Sequence, residues 1–445
     1  MNKIIISCIC MLFAAALSVS AQVTEKKWTM QECIDYALQN NITLQKSRIQ
    51  RRSAIEDVKQ SKAELLPSLS ASTNQTILYR PFIASGQSTV ANGYVQSSID
   101  KVYYNGSYGV NANWTVWNGN RNHNTIKLNE LTAQLTELDS VTGARTIEER
   151  IVQLYTQILY TNEAISVAKQ SLEASKVNES RGITMVEVGK MSKADLAQLS
   201  AQRAQDEYNL VAAESQVKNY KFQLKQLLEL TEAADFDVVI PQYTDAQALG
   251  TIPALTTVYA DALNGRPEIR NALLAIERSD VSIDIARATN SPTVSLNGSL
   301  GTNTTSMDDK GYGHQLKTNF DMSVGASLSI PILDNRRTKT EVNKAKLQRE
   351  NSLLELKDQQ KKLYNTIETY WIDATTNQSK FKAAKVATES QLTSYELLSE
   401  QFRLGLKNIV ELMTGKTNLV QAQQNELESK YLTIYNIYML KFYQK

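Results

Sequence analysis

The sequence predicts a mostly α-helical protein with a smaller share of β-strand, built from two internal structural repeats. Three observations support this fold class: a large duplication, segments in which apolar and polar residues alternate, and long stretches with heptad spacing. Each repeat reads as helix, strand, loop, strand, long helix, turn and helix. The low counts of 17 Gly and 7 Pro in 445 residues agree with long helices.

The duplication shows as matching residues that recur in the same order. Pro67 recurs as Pro292, at an offset of 225 residues, and Gly189 recurs as Gly405, at an offset of 216. The first copy is therefore longer, and the extra residues fall between Pro67 and Trp117 in a stretch rich in Gly, Ser and Asn. Their common order and near-constant offset indicate two copies of one unit.

The predicted strands alternate with period two. From Val102 to Val116 the even positions are largely apolar or aromatic and the odd positions are mostly small or polar, and the pattern returns from Phe320 to Ile330. Residues 293–300 alternate similarly, and residues 69–79 form a weaker fourth strand. These lengths suit membrane strands that face lipid on one side and a lumen on the other. A soluble antiparallel sheet with one wet face would alternate in the same way. The scarcity of large side chains on the polar face favours the lumen.

The helices after the strands carry apolar residues at heptad spacing, with Arg203 and Asp206 as polar interruptions. The stretch from Arg337 to Leu404 is roughly 70 residues, or about 100 Å of helix. That length suits a hollow tube that crosses the periplasm. Four strands cannot close a barrel around a lumen, whereas three chains would supply about twelve. Trimerisation is the simplest way to close the barrel.

The N-terminus reads as a secretory signal peptide over residues 1–21. Lys3 supplies the positive region, residues 4–17 are mostly apolar, and Val19-Ser20-Ala21 provides a small-residue cleavage site. An uncleaved anchor is the alternative. Cleavage removes Cys8 and Cys10 and leaves Cys33 alone, so the mature chain can form no internal disulfide.

Composition and motifs argue against several classes of function. The 48 Lys and Arg nearly balance the 46 Asp and Glu, which gives no electrostatic reason to expect nucleic acid. His123 and His314 lack partners at metal-ligand spacing, and the chain has neither a nucleophile elbow nor a phosphate-binding loop. We therefore predict no enzyme activity, no metal and no cofactor. The 20 Tyr are many, and a membrane interface is one candidate place for them.

Four local motifs now point to one family. The turns at residues 188–196 (VGKMSKADL) and 403–412 (RLGLKNIVEL) look like the helix-tip signature of TolC-type outer-membrane efflux proteins. The stretches at residues 117–121 (WNGNR) and 333–337 (LDNRR) resemble the strand-to-helix junctions of that family. The resemblance covers essentially the whole mature chain. It implies a trimeric twelve-stranded β-barrel, with four strands per chain, continued by a long α-helical coiled-coil barrel with a small equatorial mixed domain.

The same resemblance predicts the division of the chain. After the signal peptide, residues 22–230 form the first repeat, with a strand pair near 67–118 and a helical hairpin whose tip lies near 182–192. Residues 231–257 form an equatorial segment between the repeats, with a short strand at Phe236–Ile240. Residues 258–445 form the second repeat, with strands near 292–333, a tip near 403–408 and a C-terminal equatorial tail. Residues 80–98 and 302–314 are expected as loops at the cell surface.

The function that the resemblance implies is a passive export channel of a tripartite efflux or type I secretion system. The homotrimer would lie in outer-membrane lipid of a Gram-negative bacterium, with its helical barrel projecting into the periplasm. It would engage a periplasmic adaptor and an inner-membrane pump of the RND or ABC type. The alternative is a trimeric coiled-coil surface protein, such as an adhesin. The returning hairpins argue against it, because adhesin stalks run in one direction.

The resemblance also implies a periplasmic gate at the helical tips. The predicted gate and tip residues are Glu187, Gly189, Asp195, Phe402, Gly405, Lys407 and Glu411.

Glu411 matches an acid that rings the lumen in the family, and Asp195 holds the same place in the first repeat. Phe402, Lys407 and Glu187 match a Tyr, an Arg and an acid of the family's constriction, while Thr414 replaces a second ring acid. Phe402 cannot donate a hydrogen bond, and a Lys offers a point charge where Arg offers a fork.

A second reading of the two acids comes from the residues alone. Ser192-x-x-Asp195 and Asn408-x-x-Glu411 both have capping-box spacing, so each acid also suits a helix N-terminus. The capping role and the gate role are compatible. Gly189 and Gly405 suit tight reversals between long helices.

Overall fold

The computed structural model describes residues 27–82, 89–91, 94–96, 100–231, 236–241 and 243–444. The predicted signal peptide, including Cys8 and Cys10, lies outside the described residues. In chain order the helices are α1 (Met30–Asn40), α2 (Ile42–Ala63), α3 (Arg121–Glu187), α4 (Lys193–Leu227), α5 (Asp245–Ala248), α6 (Leu255–Gly265), α7 (Pro267–Ala288), α8 (Tyr312–Thr318), α9 (Arg337–Arg403) and α10 (Ile409–Tyr443). The strands are β1 (Lys27–Trp28), β2 (Ser68–Tyr79), β3 (Thr89–Ala91), β4 (Tyr94–Gln96), β5 (Val102–Trp117), β6 (Asp237–Val238), β7 (Thr293–Thr305) and β8 (Asp321–Ser329).

The two repeats are confirmed by helices of equal length. α1 and α6 have 11 residues each, α2 and α7 have 22, α3 and α9 have 67, and α4 and α10 have 35. The junctions after β5 and β8 also match, because Gly119 and Asn120 have positive φ, as do Asn335 and Arg336. At 1.5 Å per residue, α3 and α9 are each about 100 Å long.

The first helix of each repeat is broken, which corrects the prediction of a single helix before the first strand of each repeat. Asn41 leaves the helical conformation, with ψ at 126°, and its side-chain oxygen accepts a hydrogen bond from the Thr43 amide at 2.9 Å. That bond starts α2 as a new helix. In the second repeat Arg266 is extended in the same way, because Pro267 disfavours helical backbone at the residue before it.

The four long strands form one antiparallel sheet in the order β2-β5-β7-β8. The register pairs Val110 with Ala71 and with Leu300, so the apolar faces of neighbouring strands coincide. The opposite face carries mainly Ser, Thr, Asn and Gly. Val324 is 91% exposed in the single chain, so no other described part of the chain packs on the apolar face there. Among the described residues, no helix is both long enough and apolar enough to cross a membrane.

The connection between β7 and β8 differs from the prediction, whereas β2 ends at Tyr79, just before the predicted first loop. β7 continues to Thr305, so the loop expected from residue 302 begins later than predicted, and α8 follows within it. The buried Gln315 holds this loop, because its amide bonds the backbone of Thr305 in both directions, at 2.7 and 3.0 Å. In the first loop β3 and β4 pair in antiparallel fashion, and residues 83–88, 92–93 and 97–99 of the predicted loop lie outside the described residues.

Contacts divide the chain into two compact units: Met1–Lys46, Thr142–Arg266 and Lys362–Lys445 form the first, and Ser47–Val141 and Pro267–Lys361 the second. The first unit contains the main hydrophobic core, with Ile151, Ile158, Leu224 and Met439 fully buried. The predicted short strand is present there as β6, which pairs in parallel with β1. Most of the tyrosines belong to this unit, so a membrane interface explains only a minority of them.

The second unit contains the four-stranded sheet and parts of α2, α3, α7 and α9. Its helices bury apolar side chains, among them Val281 of α7, and polar contacts also join them. Ser279 in α7 and Ser352 in α9 share a buried hydrogen bond of 3.0 Å, and Lys127 in α3 pairs with Glu277 in α7 at 3.2 Å.

Candidate functional site

The first helical turn reverses the chain between Glu187, where α3 ends, and Lys193, where α4 begins. Gly189 has φ of 74°, a left-handed conformation that side chains with a Cβ rarely adopt. The Lys190 amide donates to the Met185 carbonyl at 2.7 Å, which closes the end of α3. Ser192 then caps α4, because its hydroxyl accepts from the Asp195 amide at 3.0 Å.

The second turn has the same construction between α9 and α10. Gly405 has φ of 76°, and the Leu406 amide donates to the Gln401 carbonyl at 2.8 Å. Asn408 caps α10 by accepting from the Glu411 amide at 2.9 Å. A Cβ added to Gly405 would meet nothing within 4 Å, so backbone conformation alone explains the glycine.

A small hydrophobic cluster brings the two turns together. Leu199 from α4 packs with Phe402, Ile409 and Leu412 from the second hairpin, and all four are buried. Phe402 is only 4% exposed, so its ring lies inside the chain. The structure thus places this residue, which was predicted for the constriction, in the packing that joins the two tips.

The predicted gate charges form local pairs within the chain. Lys407 Nζ lies 2.7 Å from Glu411 Oε2, one helical turn away, and both side chains are 40% exposed. The Asp195 carboxylate accepts from the Ser192 hydroxyl at 2.7 Å. Glu187 is exposed and, among the described residues, has no cation partner. The gate roles of these groups stay predictions.

The capping boxes predicted for the two acids are only half formed. Ser192 and Asn408 do cap their helices, but neither Asp195 nor Glu411 returns a bond to the backbone amide of the cap residue, in the part of the chain described. At α1 both halves of the capping box are present, between Thr29 and Glu32. The two tip carboxylates therefore keep acceptor capacity for other partners.

Comparison with known proteins identifies the family. A family model described as "Outer membrane efflux protein" matches residues 33–229 and 258–435. The chain belongs to this family. It is similar to outer membrane efflux protein BepC of Brucella suis, with 22% identity over 93% of this chain and 85% of BepC. It is also similar to outer membrane protein TolC of Escherichia coli, with 21% identity over 89% of this chain and 78% of TolC.

A solved structure agrees on the fold. The Campylobacter jejuni CmeC outer membrane channel matches with a TM-score of 0.77 at 18% identity, over 93% of this chain and 85% of CmeC. The chain is thus a TolC-like outer-membrane export channel of a Gram-negative bacterium, and it is not an enzyme. It works as a homotrimer with a periplasmic adaptor and an inner-membrane pump.

This outer membrane efflux protein also holds a buried charge network that the sequence did not reveal as such. Asp206 in α4 and Lys416 in α10 form an ion pair, and each residue is 5% exposed. Burial lowers the pKa of Lys416, and the hydrogen bond to Asp206 opposes that shift. In the sequence, Asp206 is recognisable only as a polar residue that interrupts the heptad spacing. The available signal for Lys416 was its position between the buried Leu412 and Leu419 on the same helix.

Proposed function

We propose that this efflux protein is a gated duct whose periplasmic end closes at the two helical turns, residues 188–192 and 404–408. The observation that carries the proposal is the cluster of Leu199, Phe402, Ile409 and Leu412, which joins both turns in one place. Three copies would bring six turns to one opening. A duct that crosses the outer membrane needs such a closure when no pump is attached.

The charges around this opening suit a closure that can be released. Lys407 and Glu411 are partly exposed, and an exposed pair contributes only about 0–1 kcal/mol. Glu187 and Asp195 add carboxylates on the first turn. Several weak ion pairs of this strength can together hold the gate closed. A docking protein can replace them without unfolding the hydrophobic core.

The same turns offer a surface for the periplasmic adaptor. They carry exposed apolar side chains, namely Val188, Leu404, Leu406 and Val410. A cleft between the turns is lined by Met185, Met191, Phe402 and Ile409, with Lys190 and Lys407 at its polar side. Apolar contacts flanked by charge are typical of a protein-binding surface.

We assign the inter-repeat segment, residues 231–257, to an equatorial anchor for the long helices. Asp245 lies 2.7 Å from Lys385 in α9 and 3.2 Å from Lys430 in α10. Gln378 donates to the carbonyls of Ala248 and Gly250, at 3.0 and 2.9 Å. These bonds fix both helices of the second hairpin far from its tip.

The test is conductance of purified trimers in planar lipid bilayers, compared between wild type and Lys407→Glu. We expect small, mostly closed channels for wild type and more open ones for the variant, because repulsion from Glu411 replaces attraction. Trimer yield should stay normal. Lys59→Glu is the matched control, since it reverses an exposed same-helix pair with Glu56 that lies on α2.

The outcomes separate the candidate functions. Wild-type trimers that never conduct would favour the adhesin-like alternative. Conducting trimers in which Lys407→Glu behaves as wild type would remove Lys407 from the gate and leave the channel function standing.

A further inference from the structure

Four buried polar groups join the two helical hairpins above their tips. The Lys416 ammonium group donates to the Ser171 carbonyl at 2.7 Å, to the Ser175 hydroxyl and to the Asp206 carboxylate. Ser171 and Ser175 belong to α3, and Asp206 belongs to α4. One side chain of the second hairpin thus contacts both helices of the first.

The network is complete in hydrogen bonding. Lys416 has three protons and three acceptors. Asp206 accepts from Lys416 and from Ser175 on one oxygen, and from Gln202 on the other at 3.1 Å. Separating the hairpins at this level would break all three hydrogen bonds of the Lys416 ammonium group, including its ion pair with Asp206.

Each hairpin is also closely packed at nearly the same level. A Cβ on Gly182 would lie 2.6 Å from Leu199 Cδ1, so α3 and α4 approach closely there. A Cβ on Gly415 would lie 2.6 Å from Leu398 Cδ1, so α9 and α10 do the same. The two helices of each hairpin are therefore closely packed, and Lys416 joins the two hairpins.

The network lies a short distance from the turns. Lys416 is seven residues into α10, about 10 Å from its start, and Ser175 is twelve residues before the end of α3, about 18 Å from it. Between this level and the turns, the hairpins meet through the four-residue cluster, against which Met191, Tyr395 and Met413 pack. The buried network adds an ion pair and two further hydrogen bonds to these contacts.

We propose that Lys416, through Asp206, Ser175 and Ser171, is the positioning residue that holds the second hairpin against the first and so fixes the closed position of the gate. The inference rests on the proposed gated channel. Opening then bends or displaces the hairpins between the network and the turns, while the network itself stays intact.

The test is the double variant Lys416→Met/Asp206→Leu, measured as trimers in planar bilayers and by thermal denaturation. Replacing both partners of a buried ion pair by apolar residues is often neutral for stability. We expect an unchanged trimer yield and Tm, with an open probability about tenfold higher, the factor that corresponds to losing about 1.4 kcal/mol of closed-state restraint. Hydrogen exchange should increase in residues 400–412 and stay unchanged in the equatorial core.

The matched control removes an ion pair at the same level but inside the first hairpin. Arg203 in α4 pairs with Glu179 in α3 at 2.9 Å, so Arg203→Met/Glu179→Leu should leave open probability at the wild-type value. The single variant Lys416→Met leaves Asp206 buried without its cation, and a lower trimer yield is expected from it.

Each further outcome counts against the inference. An intact double-variant trimer with wild-type open probability would overturn it, although conducting wild-type channels would still support the proposed function. A double variant and a control that raise open probability equally would also overturn it, since any loosening of the helices would then suffice. Wild-type trimers that conduct no current would overturn both.

Discussion

Removing the Phe402 ring should loosen both helical tips without unfolding the rest of the chain. The ring is 4% exposed and packs with Leu199, Ile409 and Leu412. Truncation of a buried Phe to Ala costs about 3–5 kcal/mol. We expect the low end, about 3 kcal/mol, because Phe402 also lines the cleft between the turns, where water can fill the space.

The assay is amide hydrogen exchange of trimers of the Phe402→Ala variant. A loss of about 3 kcal/mol in local stability corresponds to roughly a hundredfold fall in protection. It should appear in the tip segments on both sides of the cluster, near Leu199 and Ile409. Protection of Ile151 and Leu224, in the main core, should not change.

The matched control is Phe222→Ala, because Phe222 lies on α4 and is 56% exposed. It should change protection little in either region. Unchanged tip protection in Phe402→Ala would show that the cluster does not join the turns. An equal loss of protection throughout the main core would show that the tips do not open independently of it.

Three further predictions concern single positions. Gly405→Ala should destabilise the second turn by about 1–2 kcal/mol, because φ of 76° is unfavourable for residues with a Cβ, and Gly405→Asn should cost less; limited proteolysis at the turn would show this. Asp245 has its pKa lowered by the hydrogen bond from Lys385, so its stabilising effect is full at neutral pH and is lost as the pH falls through that pKa. Asp245→Asn should therefore lower the free energy of unfolding at neutral pH by no more than about 1 kcal/mol, because the group is partly exposed, and Tm should fall accordingly. The difference in Tm between variant and wild type should vanish in acid. A tag at Gly311, where a Cβ would meet nothing within 4 Å, should label on intact cells, and labelling only after lysis would contradict the predicted loop location.

The fold class could be predicted because its signals are long and repeated. Strand alternation from Val102 to Val116 and the long heptad stretch after Arg337 each extend over many residues, and both appear twice. The helix breaks could not be predicted as well. Asn41 interrupts a regular helical pattern through one side-chain hydrogen bond, and in the second repeat Pro267 breaks the helix by disfavouring helical backbone at Arg266.

The candidate site was predictable only at the level of the turns. Gly189 and Gly405 mark reversals by a property of the backbone, which sequence spacing reveals. The orientation of Phe402 depends on which face of α9 meets α4, and one sequence does not contain that information. The pairing of Asp206 with Lys416 joins residues 210 positions apart, and only the folded hairpins bring them together.

The equal lengths of corresponding helices constrain how this chain can change. The two hairpins must keep a fixed offset for Phe402 to reach Leu199 and for Lys416 to reach Asp206. Adding one heptad to each helix of a single hairpin would shift its turn by about 10 Å and separate both contacts. Heptads added at corresponding points of all four long helices would preserve them. Natural variation in the length of such a chain should therefore occur as matched insertions of whole heptads, one in each of the four long helices.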